Sequence, residues 1–209
     1  IVVVTGKGGV GKSTVAASLA IKAAALKKRV LLVELGDESF YAPFFGLKAV
    51  DNTPRVVEPY GFEIALWDSE SCLREYVLHF IKVDAVFRLF FENKIMRSFI
   101  NIAPALKELA ILGKLTSGER KVGPAFEYDL VILDGYATGH MLALLRAPKG
   151  MSESVRTGPM GVHSAEILRV MKDKSLTGYV VVTLPDEMPT VEALEMKDTL
   201  LNEFDIHPE

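Results

Sequence analysis

Residues 6–14 read Gly6-Lys7-Gly8-Gly9-Val10-Gly11-Lys12-Ser13-Thr14. The stretch fits G-x-x-x-x-G-K-[ST], the phosphate-binding P-loop. Its flanks fit too. Ile1–Val4 is an apolar run ending at Thr5 and Gly6, which reads as a buried strand. Residues 13–28 read as a helix, rich in alanine and apolar nearly all round, and so expected to be buried. Glycines let backbone N–H groups turn toward phosphate oxygens with no side chain in the way. The helix N-terminus adds a partial positive charge. In such a loop Lys12 reaches the β- and γ-phosphates, and the Ser13 hydroxyl joins a Mg²⁺ shell.

A rival reading uses the same residues. Gly6, Gly8 and Gly11 also satisfy G-x-G-x-x-G, the dinucleotide fingerprint, and Glu34 ends the next apolar strand where a ribose-binding acid would stand. A dinucleotide site needs neither Lys12 followed by Ser13 and Thr14 nor a second acidic strand end downstream. This chain has both, the second at Asp134.

Lys7 makes the loop unusual, because an ordinary P-loop needs no lysine directly after its first glycine. The K-G-G-V-G-K-S-T form resembles the deviant Walker A motif of the MinD/ParA/ArsA group of P-loop ATPases. The resemblance implies ATP as ligand and a lysine that crosses a dimer interface to the other subunit's nucleotide. A cation set against a departing γ-phosphate lowers the barrier electrostatically. Supplied in trans, it links hydrolysis to dimerisation. The alternative for Lys7 is a solvated surface lysine.

Composition bounds the rest. The 209 residues allow one sizeable core, and 49% hydrophobic with 24% charged residues is ordinary for a globular domain. The net charge of -3, with no basic block, gives no support to nucleic-acid binding by bulk electrostatics. The single cysteine, Cys72, rules out an intrachain disulfide and a C-x-x-C metal clip within this chain, which fits a reducing cytosol. No apolar run approaches the roughly 18 residues of a membrane span, so neither a membrane span nor a signal peptide is expected within these residues. The chain starts on Ile1 inside a strand and stops soon after a helical segment, so a longer parent protein is expected.

Apolar β-rich runs alternate with helical patterns: Val30–Glu34, Phe62–Trp67, Leu130–Asp134 and Tyr179–Leu184 follow the first strand. Near-continuous Val, Leu and Ile predict strands covered on both faces. The fold class is α/β, a P-loop domain with a mostly parallel, doubly wound sheet between helices. Residues 148–161 read as a loop. Residues 70–112 read as a helical insert within the single 1–209 domain, with Phe80, Phe87, Phe90, Phe91 and Phe99 at spacings that favour helices. That insert is either plain core or a face for a partner, a second subunit or an apolar client.

Tyr128–Asp134 is an apolar strand ending in a carboxylate, the Walker B pattern that holds Mg²⁺ beside a P-loop. The following run, through Thr138, Gly139, His140, Leu142, Leu144 and Leu145, resembles the D-T-A-P-T-G-H-x-L-R-L-L switch segment of the ArsA family. Val30 through Gly46 and Gly178–Met196 resemble further parts of that family, closest to its bacterial anion-transporting ATPase branch. The resemblance implies an ATP- and Mg²⁺-dependent switch acting on a partner or cargo. It would be a homodimer or be paired with a paralogous subunit, in the cytoplasm or peripheral at a membrane through a partner. It implies Gly6, Lys7, Gly8, Gly9, Val10, Gly11, Lys12, Ser13 and Thr14 as the nucleotide site, and Ser13 with Asp134 as the metal site. Lys7, Lys12 and Asp37 become the catalytic set.

The departures bear on activity. The family's water-orienting Asp aligns with Gly36, leaving Asp37 one residue late, and Gly135, Tyr136 and Ala137 replace Thr, Ala and Pro. Slow hydrolysis, or a nucleotide-gated scaffold with little hydrolysis that binds a protein or membrane-associated partner through the insert, is therefore the alternative. Cys72 alone cannot build a multi-thiolate arsenite site. His140 reads either as a nucleotide sensor or as a residue capping the next helix. His79, His163 and His207 show no metal-ligand spacing.

Overall fold

A computed structural model of the chain describes residues 1–80, 104–122, 127–155 and 159–208. Its elements are β1 (Val2–Gly6), α1 (Lys12–Ala25), β2 (Val30–Leu35), α2 (Tyr41–Phe44), β3 (Arg55–Val57), β4 (Phe62–Trp67) and α3 (Ser69–Phe80). Then follow α4 (Pro104–Leu115), α5 (Ser117–Arg120), β5 (Leu130–Asp134), α6 (Thr138–Ser154), α7 (Pro159–Lys172), β6 (Gly178–Val182) and α8 (Glu187–Phe204). The chain divides into two compact units. One comprises Ile1–Asp68, Phe126–Leu142 and Arg169–Glu209; the other comprises Ser69–Ala125 and Ala143–Leu168.

The first unit is built on a six-stranded sheet in the order β3-β4-β2-β5-β1-β6. Every pairing is parallel except that of β3 with β4. The α/β fold with a mostly parallel sheet is therefore the one its alternating pattern predicts. The strand chemistry follows from burial on both faces. Val4, Leu32, Ile64 and Ile132 pack with Ala16, Ala17 and Ala20 of α1 in one core. Val3, Leu31, Val33 and Leu133, one residue out of phase, are buried on the other face. The Thr5 hydroxyl lies 3.9 Å from the Met196 sulfur, which puts α8 on that second face.

Three expectations need correction. Helix α1 is not buried all round: Ala16, Ala17 and Ala20 are its buried residues, while Ser18, Lys22 and Ala25 face solvent. Alanine is compatible with either side, so composition overstated the burial. Residues 148–161 are not one loop. Helix α6 runs through Pro148 to Ser154, and α7 opens at Pro159. Met141, Leu144, Leu145 and Pro148 form one buried stripe at helical spacing, so Pro148 is held as a packing residue despite its missing N–H. Third, the expected strands omit the short antiparallel edge strand β3.

The second unit is helical in its described residues. Helices α3 and α4 pack together, with Cys72, Leu73, Leu109 and Leu112 buried. Gly113 admits the Tyr76 ring so closely that a Cβ there would meet it at 2.9 Å. Arg120 is sequestered among Thr116, the Gly113 carbonyl and His163. The phenylalanine-rich centre of the insert, from Ile81 through Ile100, lies outside the described residues. Among the described residues no helix is long and apolar enough to cross a membrane.

The tightest steric constraint is at Gly6. A Cβ there would stand 2.1 Å from the Val182 carbonyl oxygen, and its φ is +145°. Gly6→Ala must therefore part β1 from β6, at a cost of about 3 kcal/mol or more from overpacking and backbone strain together. Gly8→Ala meets nothing within 4 Å and should be near neutral. Urea unfolding of the two variants checks this; equal midpoints would contradict the packing.

Candidate functional site

Strand β1 ends where the loop Gly6–Gly11 begins, and α1 starts at Lys12. The loop is anchored by Val10, which is buried, while Gly8, Gly9 and Gly11 stay exposed. Gly9 and Gly11 take φ values of +84° and +92°, which side-chain-bearing residues rarely adopt. The result is a Gly-rich turn leading into a helix N-terminus whose Ncap, Gly11, offers no side-chain cap. Such an end holds free backbone N–H groups for an anion. Lys12 folds back over the loop, its Nζ donating to the Lys7 carbonyl at 3.0 Å.

The sheet brings the second acidic strand end alongside. Strand β5 lies between β1 and β2, with Val4 opposite Asp134 and Glu34 opposite Asp134. Gly6, Asp134 and Glu34 therefore share the carboxyl edge of the parallel sheet, where ligands bind in open α/β folds. Asp134 is 8% exposed and Glu34 is 6% exposed. Burial pushes the Asp134 carboxyl above the ordinary carboxylate range, against the pull of Ser13, Tyr41 and Lys12. Burial also raises Glu34, with Asp134 adding to the rise.

The two carboxylates are used differently. Glu34 is engaged within the chain, accepting from the Ser39 hydroxyl at 2.6 Å and from the Phe40 N–H. It shapes the turn after β2 rather than facing an open ribose pocket, which removes the dinucleotide reading. Asp134 keeps an oxygen in reserve. Its Oδ2 accepts from the Tyr41 hydroxyl at 2.9 Å, while Oδ1 is buried with no hydrogen-bond partner. An orphaned carboxylate oxygen beside Ser13 suits a divalent cation. Among the described residues no cluster of three or more His, Cys, Asp or Glu could hold a metal. That donor set suits Mg²⁺, which is usually bound by one or two protein oxygens together with substrate phosphates.

Tyr41 and Glu192 were not singled out from the sequence. Tyr41 is fully buried, and its hydroxyl also lies 2.8 Å from the Ser13 carbonyl, so one proton serves the first turn of α1 and Asp134 together. Its phenol is pushed up by burial and by the Asp134 charge. Glu192 of α8 pairs with Lys7. A run of aromatics after the second strand was the available signal for Tyr41. Nothing distinguished Glu192 from the other acids of its helix.

The switch segment begins at a second steric limit. The Gly135 N–H donates to the Val4 carbonyl at 2.8 Å, and a Cβ at Gly135 would stand 2.8 Å from that same oxygen. Close packing of β1 on the segment thus leaves no room for a side chain at Gly135 without displacement. The Tyr136 carbonyl accepts from the Thr5 hydroxyl at 2.9 Å, and the Tyr136 ring meets His140 edge-on at 5.9 Å. Asp37 is not drawn into this constellation. It is exposed in the bend after β2.

The fold and the loop together define a P-loop nucleotide-binding domain. Residues 1–161 match the family model for anion-transporting ATPases, and the chain belongs to that ArsA-type family of ATPases. ATPase BagA of Mycobacterium tuberculosis is 29% identical over 205 residues, covering 94% of this chain and 59% of its own length. An arsenical pump-driving ATPase of Acidiphilium multivorum is 30% identical over 159 residues, covering 75% of this chain and 27% of its own. ATPase asna-1 of Caenorhabditis elegans is 26% identical over 156 residues, covering 69% and 44%. The chain thus spans only part of the length of each of these relatives.

Tyr41→Phe keeps the ring and removes the shared proton, leaving Asp134 Oδ2 and the Ser13 carbonyl without it. The cost should be about 1–3 kcal/mol, chiefly for the buried Asp134 oxygen left unpaired, since the Ser13 carbonyl keeps its bond within α1. Denaturant unfolding without nucleotide reads this directly. An unchanged midpoint would show that the hydroxyl contributes nothing to the nucleotide-free chain.

Proposed function

We propose that the chain is the Mg-ATP-binding part of an ATPase switch that couples nucleotide binding and slow hydrolysis to an action on a partner or cargo. One observation carries the reading: a glycine loop with a free helix N-terminus lies one strand away from a buried carboxylate with an unpartnered oxygen. Gly6–Thr14 hold the phosphates, with Lys12 against the β- and γ-oxygens. Ser13 and Asp134 hold Mg²⁺, which when bound neutralises charge on those oxygens. Lys7 acts on the nucleotide of a second subunit, a copy of this chain or a paralogue. A cytoplasmic setting, with membrane contact through a partner, accords with this role.

We read hydrolysis as slow because Asp37, the candidate to orient water, stands exposed, and because the bulky Tyr136, its ring edge-on to His140, occupies the switch segment. The same exposure of Asp37 favours a second reading, a nucleotide-gated scaffold with negligible turnover. Phosphate release with Mg-ATP separates the two.

Lys12→Ala removes the charge that faces the phosphates, and Mg-ATP affinity in titration calorimetry should fall about tenfold or more. Equal affinity would remove the site assignment. Lys7→Ala should leave affinity nearly intact yet abolish turnover or ATP-dependent self-association. Asp37→Asn should remove whatever hydrolysis exists and spare binding. Turnover of about 1 s⁻¹ or faster in the unaltered chain would place it among ordinary enzymes and contradict the slow-switch reading.

A further inference from the structure

Lys7 is ion-paired within the chain in this structure. Its Nζ pairs with Glu192 Oε1, and Glu192 Oε2 accepts from the Thr138 hydroxyl at 3.3 Å. One carboxylate therefore joins the P-loop, helix α8 and the first residue of α6, three residues beyond Gly135. The side chains of Lys7 and Glu192 are 31% and 29% exposed, so the pair sits at the rim, screened by solvent and breakable. The lysine also holds down the carboxylate's pKa, so Glu192 stays charged.

A single ammonium cannot sit on Glu192 and reach another subunit's nucleotide at the same time. The cis pair therefore competes with the trans position. Thr138 ties the same carboxylate to the segment that follows Asp134, the carboxylate nearest to any cation on the γ-phosphate. We propose that Glu192 is the positioning residue for Lys7: it clasps the lysine in cis in the nucleotide-free chain and surrenders it when ATP displaces Thr138. This rests on the trans reading of Lys7. A ligand shifts such an equilibrium only through different contacts in its two states, and the γ-phosphate side of Asp134 supplies them. The clasp makes self-association depend on ATP by penalising association without it.

Two measurements test it. In the first, the nucleotide-free chain is acetylated under limiting reagent, and modification at Lys7 and at exposed Lys48 is read by peptide mass spectrometry. Glu192→Gln keeps the shape and removes the charge, so Lys7 should react several-fold faster than in the unaltered chain, with Lys48 unchanged. Equal Lys7 rates overturn the clasp whatever the chain's activity. In the second, sedimentation with Mg²⁺ and the non-hydrolysable analogue AMP-PNP reads self-association. Glu192→Gln should associate at several-fold lower protein concentration, Thr138→Val in the same direction but less. Adding Lys7→Ala to Glu192→Gln should erase the gain, which a merely structural role of Glu192 would not do. A gain that survives Lys7→Ala, or no gain at all, overturns the hand-over. Calorimetric binding of AMP-PNP without association in any variant overturns the trans reading itself, and the hand-over with it.

Discussion

Everything at the site depends on where β5 is inserted. By pairing in parallel with β1 on one side and β2 on the other, it sets Asp134 opposite Val4 and opposite Glu34. That register is enforced from both ends. Val131, Ile132 and Leu133 are buried to opposite faces, and a slip by one residue would turn every one of them to the wrong face. The carboxylate thus has no freedom of depth relative to the glycine loop. Its environment is also fixed: a buried acid, beside a second buried acid, with one oxygen satisfied by Tyr41 and one left open.

Around this fixed pair, connections radiate to the segments that follow β2, β5 and β6. Tyr41 links Asp134 and Ser13 to the turn after β2, where Phe40 stacks on Phe44 and Phe44 meets Phe45 edge-on. Thr5 links β1 to the Tyr136 carbonyl. Glu192 links the loop to α6 through Lys7 and Thr138. None of these bonds is strong alone, since a net hydrogen bond contributes about 1 kcal/mol. Their common feature is convergence on the glycine loop, on Asp134 or on the segment that runs from Asp134 to Thr138.

How much of this was legible depended on the sequence distance of each interaction. The P-loop, the five parallel strands and the acidic end of β5 are local patterns, and the chain carries them in contiguous runs. Tyr41 and Glu192 were not legible because their partners lie 93 and 185 residues away. Strand β3 escaped because three residues, Arg55, Val56 and Val57, are too few to show a period and follow Pro54. The Pro148–Gly161 stretch was misread because punctuation residues outweighed the apolar stripe that runs through Pro148. Asp37 was assigned through the family pattern alone, and the exposed position it occupies is one no strand or helix signal could have set.

The antiparallel β3 bears on solubility. Strand β4 reads Phe-Glu-Ile-Ala-Leu-Trp and is buried along nearly its whole length. Its outer backbone groups, if bare, would template any extended chain that met them. Over Phe62–Ile64 the strand is flanked by Val57, Val56 and Arg55 of β3, and beyond it the Leu66 N–H is taken by the Asp51 carbonyl. What this flank presents outward is therefore a three-residue strand whose Arg55 is exposed and held to Asp51 at 2.7 Å. A charged, abbreviated border of this kind discourages a neighbouring molecule from extending the sheet.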